Sequence, residues 1–293
     1  MFAAQWPPET LPAFARAAER HGFDELWIAE DCFLAGGLTL AATALAVTER
    51  IGVGVGLLPA AVRNPAIAAM ELAGLARLHP GRLTAAFGHG VDAWMRQIGA
   101  RPADRLGLLE ETVAAVGALL RGDALDVRGA HVLLDAVQLD FPPSAPPPLL
   151  IGTTGPRGLA IAARAADGIV LPEGSGTAAV RWARAEAGGG ATTVYAWLAL
   201  GDDAVGALRP HVERWVRRGN YPVLAELAGI DPSAAVRDEA VRAVTVSGDA
   251  AACADAIAAL HAAGADSVVL WPVAGDRDEQ LARVAADVLP RLH

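Results

Sequence analysis

Between Ile51 and Gly90 two apolar β-runs flank a single helix, and this stretch constrains the fold more than any other. It reads Ile51-Gly-Val-Gly-Val-Gly-Leu-Leu, then a helix from about Ala66 to Leu78, then Leu83-Thr-Ala-Ala-Phe87. Two buried parallel strands joined by a crossover helix are the unit of an α/β fold. Both strands end in glycine-rich backbone, at Gly56 and at Gly88-His89-Gly90. Glycine there lets backbone come close to a flat ligand that side chains would hold off. In an α/β barrel the carboxyl ends of the strands carry the chemistry.

The same alternation runs along almost the whole chain. Strand-like runs are Phe2–Ala4, Leu26–Ala29, Ile51–Leu57, Leu83–Phe87, Leu149–Ile151, Gly168–Leu171, Thr193–Leu200 and Ser267–Trp271. Helical material follows each of them, as in Leu11–His21 closed by Gly22 and Ala250–Ala263 closed by Gly264. A small hairpin around Gly129 and the Pro-rich connector Phe141–Pro148 interrupt the rhythm between about residues 124 and 148. Eight β/α units in 293 residues predict one (β/α)8 TIM-barrel domain over 1–293 carrying that insertion. An open doubly wound sheet is the alternative. Its G-x-G-x-x-G turn is missing, because the glycines at 52, 54 and 56 alternate inside a strand.

Composition removes several chemistries. All 24 cationic residues are Arg, so no lysine amine exists for a Schiff base or a P-loop. A net charge of −9 argues against nucleic acid or an anionic membrane as partner. Cys32 and Cys253 are the only cysteines and form no C-x-x-C pair, which suits a reducing cytoplasm. Neither a charged-then-apolar leader nor a run of roughly 18 apolar residues occurs. The expectation is a soluble cytoplasmic protein. No H-x-H or H-E-x-x-H string occurs, so no metal centre is expected.

Three constellations carry candidate chemistry. Gly152-Thr153-Thr154-Gly155-Pro156-Arg157-Gly158 follows a buried strand and opens a helix. Pro at a first helical position and free N–H groups favour an anion such as phosphate; an ordinary Gly-Pro turn gives the same string. His89, between Gly88 and Gly90, stands where a barrel's pocket opens and can donate a hydrogen bond or relay a proton, or it is structural. Glu30-Asp31-Cys32-Phe33 ends strand two on the same side, where acids orient a substrate or position a proton donor. Cys32 with His89 would make a nucleophile and base, as in a thiol hydrolase, although a free cysteine is more often a small buried hydrophobe. No G-x-S-x-G elbow sits in a strand-turn-helix context. Glu173-Gly-Ser-Gly suits a flexible pocket loop, and Trp6, Trp27, Trp94 and Trp271 serve as packing or as the wall of a planar cofactor's site.

Ordered strings link these constellations. They are Ala18-Glu19-Arg-His-Gly22-Phe23-Asp24-Glu-Leu-Trp27-Ile-Ala-Glu30, Thr48-Glu-Arg-Ile-Gly-Val-Gly, Arg63-Asn64-Pro65, Gly81-Arg82 and Gly88-His89-Gly90. Pro148-Leu-Leu-Ile-Gly-Thr-Thr-Gly-Pro follows, with Ala165-Ala166-Asp167-Gly168, Val246-Ser-Gly248 and Ala263-Gly264-Ala265. In that order and spacing the chain resembles the bacterial luciferase-like oxidoreductases. The branch it most resembles is the deazaflavin (coenzyme F-420) dependent reductases related to methylenetetrahydromethanopterin reductase.

The resemblance implies a barrel, commonly dimeric, that binds FMN or the deazaflavin at the carboxyl ends of its strands. It implies a bulged third strand whose non-prolyl cis peptide, here Gly56-Leu57, backs the flat ring. Gly88, His89 and Gly90 would border the cofactor, and Gly152, Thr153, Thr154, Gly155 and Pro156 would hold its phosphate. Two departures stand out: many relatives carry His at Cys32, and the sugar-phosphate dehydrogenase branch carries Glu at Val91. His89, Asp31 and Cys32 remain as catalytic candidates. The expected function is hydride transfer between coenzyme F-420 and a small organic substrate. The alternatives are an FMN-dependent monooxygenase served by a partner flavin reductase, and a flavin-binding protein without turnover. The substrate pocket is expected from the loops after strands two, four and six and from the 124–148 insertion.

Overall fold

A computed structural model describes residues 1–292. Its strands are β1 (Glu25–Ile28), β2 (Gly52–Pro59), β3 (Leu83–Gly88), β4 (Leu125–Arg128), β5 (Leu133–Val137), β6 (Leu149–Gly152), β7 (Gly168–Leu171), β8 (Ala191–Leu200), β9 (Val246–Gly248) and β10 (Ser267–Pro272). β1, β2, β3, β6, β7, β8 and β10 pair in that order, with β9 beside the far end of β8. Every pairing in this sheet is parallel. β4 and β5 form the expected antiparallel hairpin in the insertion.

The sheet closes between β10 and β1 through one residue. Phe2 bridges to Ile28, and the Met1 amine donates to the Leu270 carbonyl at 2.8 Å. The expected strand Phe2–Ala4 is therefore corrected to a single bridge, because the chain turns at once and Trp6 N–H bonds back to Ala3. With that stave the architecture is a TIM barrel wrapped in helices. Where the closure is thinnest, a cavity of about 250 Å3 lies between the barrel wall and its outer helices, lined by Phe14, Leu26, Ile257 and Leu270 among others.

Strand side chains alternate with period two, and the two faces make two cores. Leu26, Ile28, Val53, Ala85, Ile151 and Ile169 point out to the helices. Trp27, Ala86, Leu150, Val170, Tyr195 and Val269 fill the barrel's interior. Burying each of the larger side chains contributes about 1.5–3 kcal/mol. Two six-residue helices, Asp92–Gln97 and Asp238–Ala243, were not expected; six residues are too few to display a helical period. The last helix, Arg277–Arg283, runs on into a wider turn over Val284–Val288.

At the amino ends of the strands, the barrel's foot, polar side chains are tied to backbone. The Glu19 carboxylate accepts from the N–H groups of Glu49, Arg50 and Ile51 at 2.9, 2.6 and 3.0 Å. Asp167 accepts from Leu149 N–H at 2.8 Å and Asp266 from Thr192 N–H at 2.9 Å. Arg82 donates to the carbonyls of Ile51 and Thr48. Among the described residues no helix is long and apolar enough to cross a membrane.

Candidate functional site

The opposite end of the barrel, its mouth, is built around an irregularity in β2. The register slips between Val55 and Leu58, and the Gly56–Leu57 peptide is cis. The slip reverses the alternation: Leu57 packs onto the interior cluster while Leu58 packs outward. A Cβ on Gly88 would stand 2.7 Å from the Leu57 side chain, and one on Gly152 would overlap it. Gly54 and Gly56 make room in the same way for Trp27 and Tyr195, whose rings meet edge to face at 5.6 Å. The glycine-rich strand ends thus admit the chain's own side chains. What they leave at the mouth is Leu57, a half-exposed apolar platform lying across β3 and β6.

Gly152 touches that platform, and Thr153, Thr154, Gly155 and Pro156 lead on from it into the next helix. Gly155 is extended and caps the helix Pro156–Ala165 without any side-chain cap, and a Cβ there would meet open space. The first-turn N–H groups keep their partial positive charge, which suits an anion. On the other flank His89 is half-buried. Burial, then Arg105, hold its imidazole pKa below the usual value and so favour the neutral ring. Gly90 holds a positive φ of 68°, and a Cβ there would press on Met95 and Pro59.

The acidic pair after β1 divides into two roles. Arg63 holds Glu30 through both guanidinium nitrogens, at 2.5 and 2.8 Å, and Gly37 N–H donates to the same carboxylate at 2.8 Å. Arg63 also reaches Glu71 at 3.4 Å. Glu30 is therefore structural, and Asp31 alone stays open to a ligand. Burial first, then Glu30, push the Asp31 pKa up. Cys32 is half-buried, and burial followed by Glu30 and Asp31 push its thiol up. A thiol pushed up in this way is the weaker nucleophile, since the nucleophile is the thiolate.

The sequence placed Glu173 and Ser175 only within a pocket loop and left Trp215 and Tyr221 without a role. Glu173 follows β7 as Asp31 follows β1. Burial first, with Asp31 adding to it, pushes its carboxyl pKa up. Tyr221 is pushed up to about 12 by burial, then by Glu173 and Asp31. Ser175 Oγ and Trp215 Nε1 are buried and lack a hydrogen-bond partner. The glycine-rich loop after β7 was the signal for Glu173 and Ser175; Trp215 and Tyr221 arrive on the excursion between β8 and β9, which no local pattern reveals. Among the described residues no group of three or more His, Cys, Asp and Glu is arranged to hold a metal.

Comparison with known proteins agrees with the fold. The family model for luciferase-like monooxygenases matches residues 3–267. The F-420-dependent glucose-6-phosphate dehydrogenase of Nakamurella multipartita is 28% identical over 189 residues, covering 59% of this chain and 54% of its own. The match thus spans about half the length of that curated relative. The coenzyme F-420-dependent tetrahydromethanopterin reductase of Methanopyrus kandleri superposes with a TM-score of 0.87 at 20% identity, covering 100% of this chain and 98% of the other. The FMN-bound oxygenating constituent of 3,6-diketocamphane monooxygenase from Pseudomonas putida gives 0.76 at 19% identity, covering 98% and 93%.

Proposed function

Since the chain belongs to the luciferase-like monooxygenase family, we propose that it is an oxidoreductase that exchanges hydride between coenzyme F-420 and a small organic substrate at the barrel mouth. The observation that carries this is the Leu57 platform beside an uncapped helix start. An apolar floor suits a flat ring, and the helix N-terminus suits a phosphate. When bound, the deazaflavin supplies a hydride carrier.

The chain's own residues then bind, orient and handle the proton. Gly56 and Leu57 back the ring. Gly88, His89 and Gly90 border it, and Gly152, Thr153, Thr154, Gly155 and Pro156 hold the phosphate. Asp31 is the proton-holding group, because its raised pKa keeps the carboxyl protonated closer to neutrality than a free aspartate. The neutral His89 ring donates a hydrogen bond, and Cys32, as a thiol, shapes the pocket beside Asp31.

Relatives named for coenzyme F-420 support this cofactor. The second reading is an FMN-dependent monooxygenase served by a flavin reductase, supported by the Pseudomonas putida neighbour. Assembly as a homodimer has one physical support: Ile67, Met70 and Leu78 lie exposed along a single helix. A cytoplasmic location completes the proposal. Titrating the cofactor-free protein with coenzyme F-420 and with FMN decides the cofactor. Micromolar binding of the deazaflavin is expected, and FMN binding without deazaflavin binding would overturn it.

A further inference from the structure

The loop after β7 reads Gly174-Ser175-Gly176, and both glycines permit a close approach. Gly174 holds a φ of 89°, and a Cβ on it would stand 2.6 Å from the Trp215 indole. A Cβ on Gly176 would overlap the Ala243 carbonyl oxygen. The loop is thus seated between Trp215, on the helix Ala204–Arg218, and the end of the helix Asp238–Ala243. Two polar groups sit there with nothing to bond. Ser175 Oγ and Trp215 Nε1, in residues 4% and 8% exposed, have no partner. They are close neighbours: Trp215 Nε1 lies 3.0 Å from the Cβ position of Gly174, the residue before Ser175.

An indole N–H can only donate, and a serine hydroxyl can donate beside it. Burying both unpaired is costly, so the partner they call for is an acceptor. Neither donor carries a charge to match an anion, whose burial costs far more than that of a neutral oxygen. The surroundings suit a body of low polarity. Trp197 belongs to the same apolar cluster as Trp215, with Tyr221 packed against it, and Phe33, Leu34 and Val91 stand exposed on the loops after β1 and β3. We propose that this corner is a substrate subsite for an uncharged oxygen acceptor, a carbonyl group on an apolar body, which accepts hydrogen bonds from Trp215 Nε1 and Ser175 Oγ. A phosphorylated substrate would set its charge against two neutral donors, so the subsite selects against it. The inference deepens the function proposed above and rests on the mouth being the substrate pocket.

The test is titration of the whole protein, first cofactor-free and then with coenzyme F-420, using acetophenone, its carbonyl-free analogue ethylbenzene, and benzoate. Binding is read by calorimetry and by NMR of isotope-labelled tryptophan. Acetophenone is expected to bind about tenfold more tightly than ethylbenzene and more tightly than benzoate. It should also move downfield the one indole N–H signal that Trp215→Phe removes. Trp215→Phe should bring acetophenone down to the level of ethylbenzene, and Ser175→Ala should remove about a threefold part of the preference. Absent or equal binding of acetophenone and ethylbenzene, tighter binding of benzoate, or a preference that survives Trp215→Phe overturns the proposal. Should Trp215→Phe fail to fold, the unsubstituted protein and Ser175→Ala decide: indole signals that acetophenone leaves unmoved, or a preference untouched by Ser175→Ala, overturn it. Because the preference is read in cofactor-free protein, its failure and a failure to bind coenzyme F-420 are separate results.

Discussion

The barrel's foot and its mouth use the same kinds of side chain to opposite ends. At the foot, Glu19, Arg82, Asp167 and Asp266 are each tied to strand backbone. At the mouth, Ser175 and Trp215 are buried with a polar atom that lacks any partner, and burial pushes up the pKa of Asp31 and Glu173. A satisfied polar group contributes stability; an unsatisfied one costs it and is retained where a ligand completes it. The contrast follows the division of labour in a TIM barrel, stability at the amino ends and chemistry at the carboxyl ends.

Substitutions can break that contrast, and the largest effect is expected in the wall between the two ends. Gly54→Ala drives a Cβ into the buried Trp27 ring and should cost about 3 kcal/mol or more in urea unfolding. A cost near zero would mean that the interior is not packed as described. Next is the mouth. Asp31→Asn should slow single-turnover hydride transfer about a hundredfold while leaving the thermal midpoint unchanged or higher, because an unpaired buried acid is removed. A large loss of stability with the rate intact would make Asp31 a foot-like residue.

Asp167→Ala is the mirror experiment. It orphans the Leu149 N–H, so about 1–2 kcal/mol of stability should go while kcat per folded molecule stays the same. A changed kcat would show that foot and mouth are coupled. The smallest effect is at Glu19, whose three backbone N–H donors hold its pKa at about 2 rather than 4.5. A depressed pKa stabilises above the unfolded value. The stability difference between the protein and Glu19→Ala should therefore be full above pH 4.5 and fade as pH falls to 2, measured by urea melts across that range.

Much of the contrast was legible before the structure. Short apolar runs bounded by glycine and charge marked seven of the eight staves, since a strand buried on both faces must be apolar throughout. The eighth, Phe2–Ala4, was read too long, because a one-residue bridge has no pattern to set its bounds. β9 is only three residues long and needs β8 to exist. The glycines at 54 and 56 share one face by parity, so their fit to interior aromatics could have been anticipated; their reading as bare backbone ignored which face they occupy. At the mouth, Asp31, Cys32 and His89 were placed by their position after strands. Glu30 was assigned to the pocket because its partner Arg63 lies 33 residues away. Trp215 and Tyr221 were missed because their helices return to the mouth only through tertiary packing.

The measurement that bears most directly on the division between foot and mouth is hydrogen exchange with and without saturating coenzyme F-420. Protection on binding should appear at 29–36, 56–60, 88–92, 152–158 and 172–176, and the foot segments at 19–25, 48–52 and 265–267 should exchange unchanged. Protection concentrated at the foot, or around the seam cavity between β1 and β10, would contradict the account.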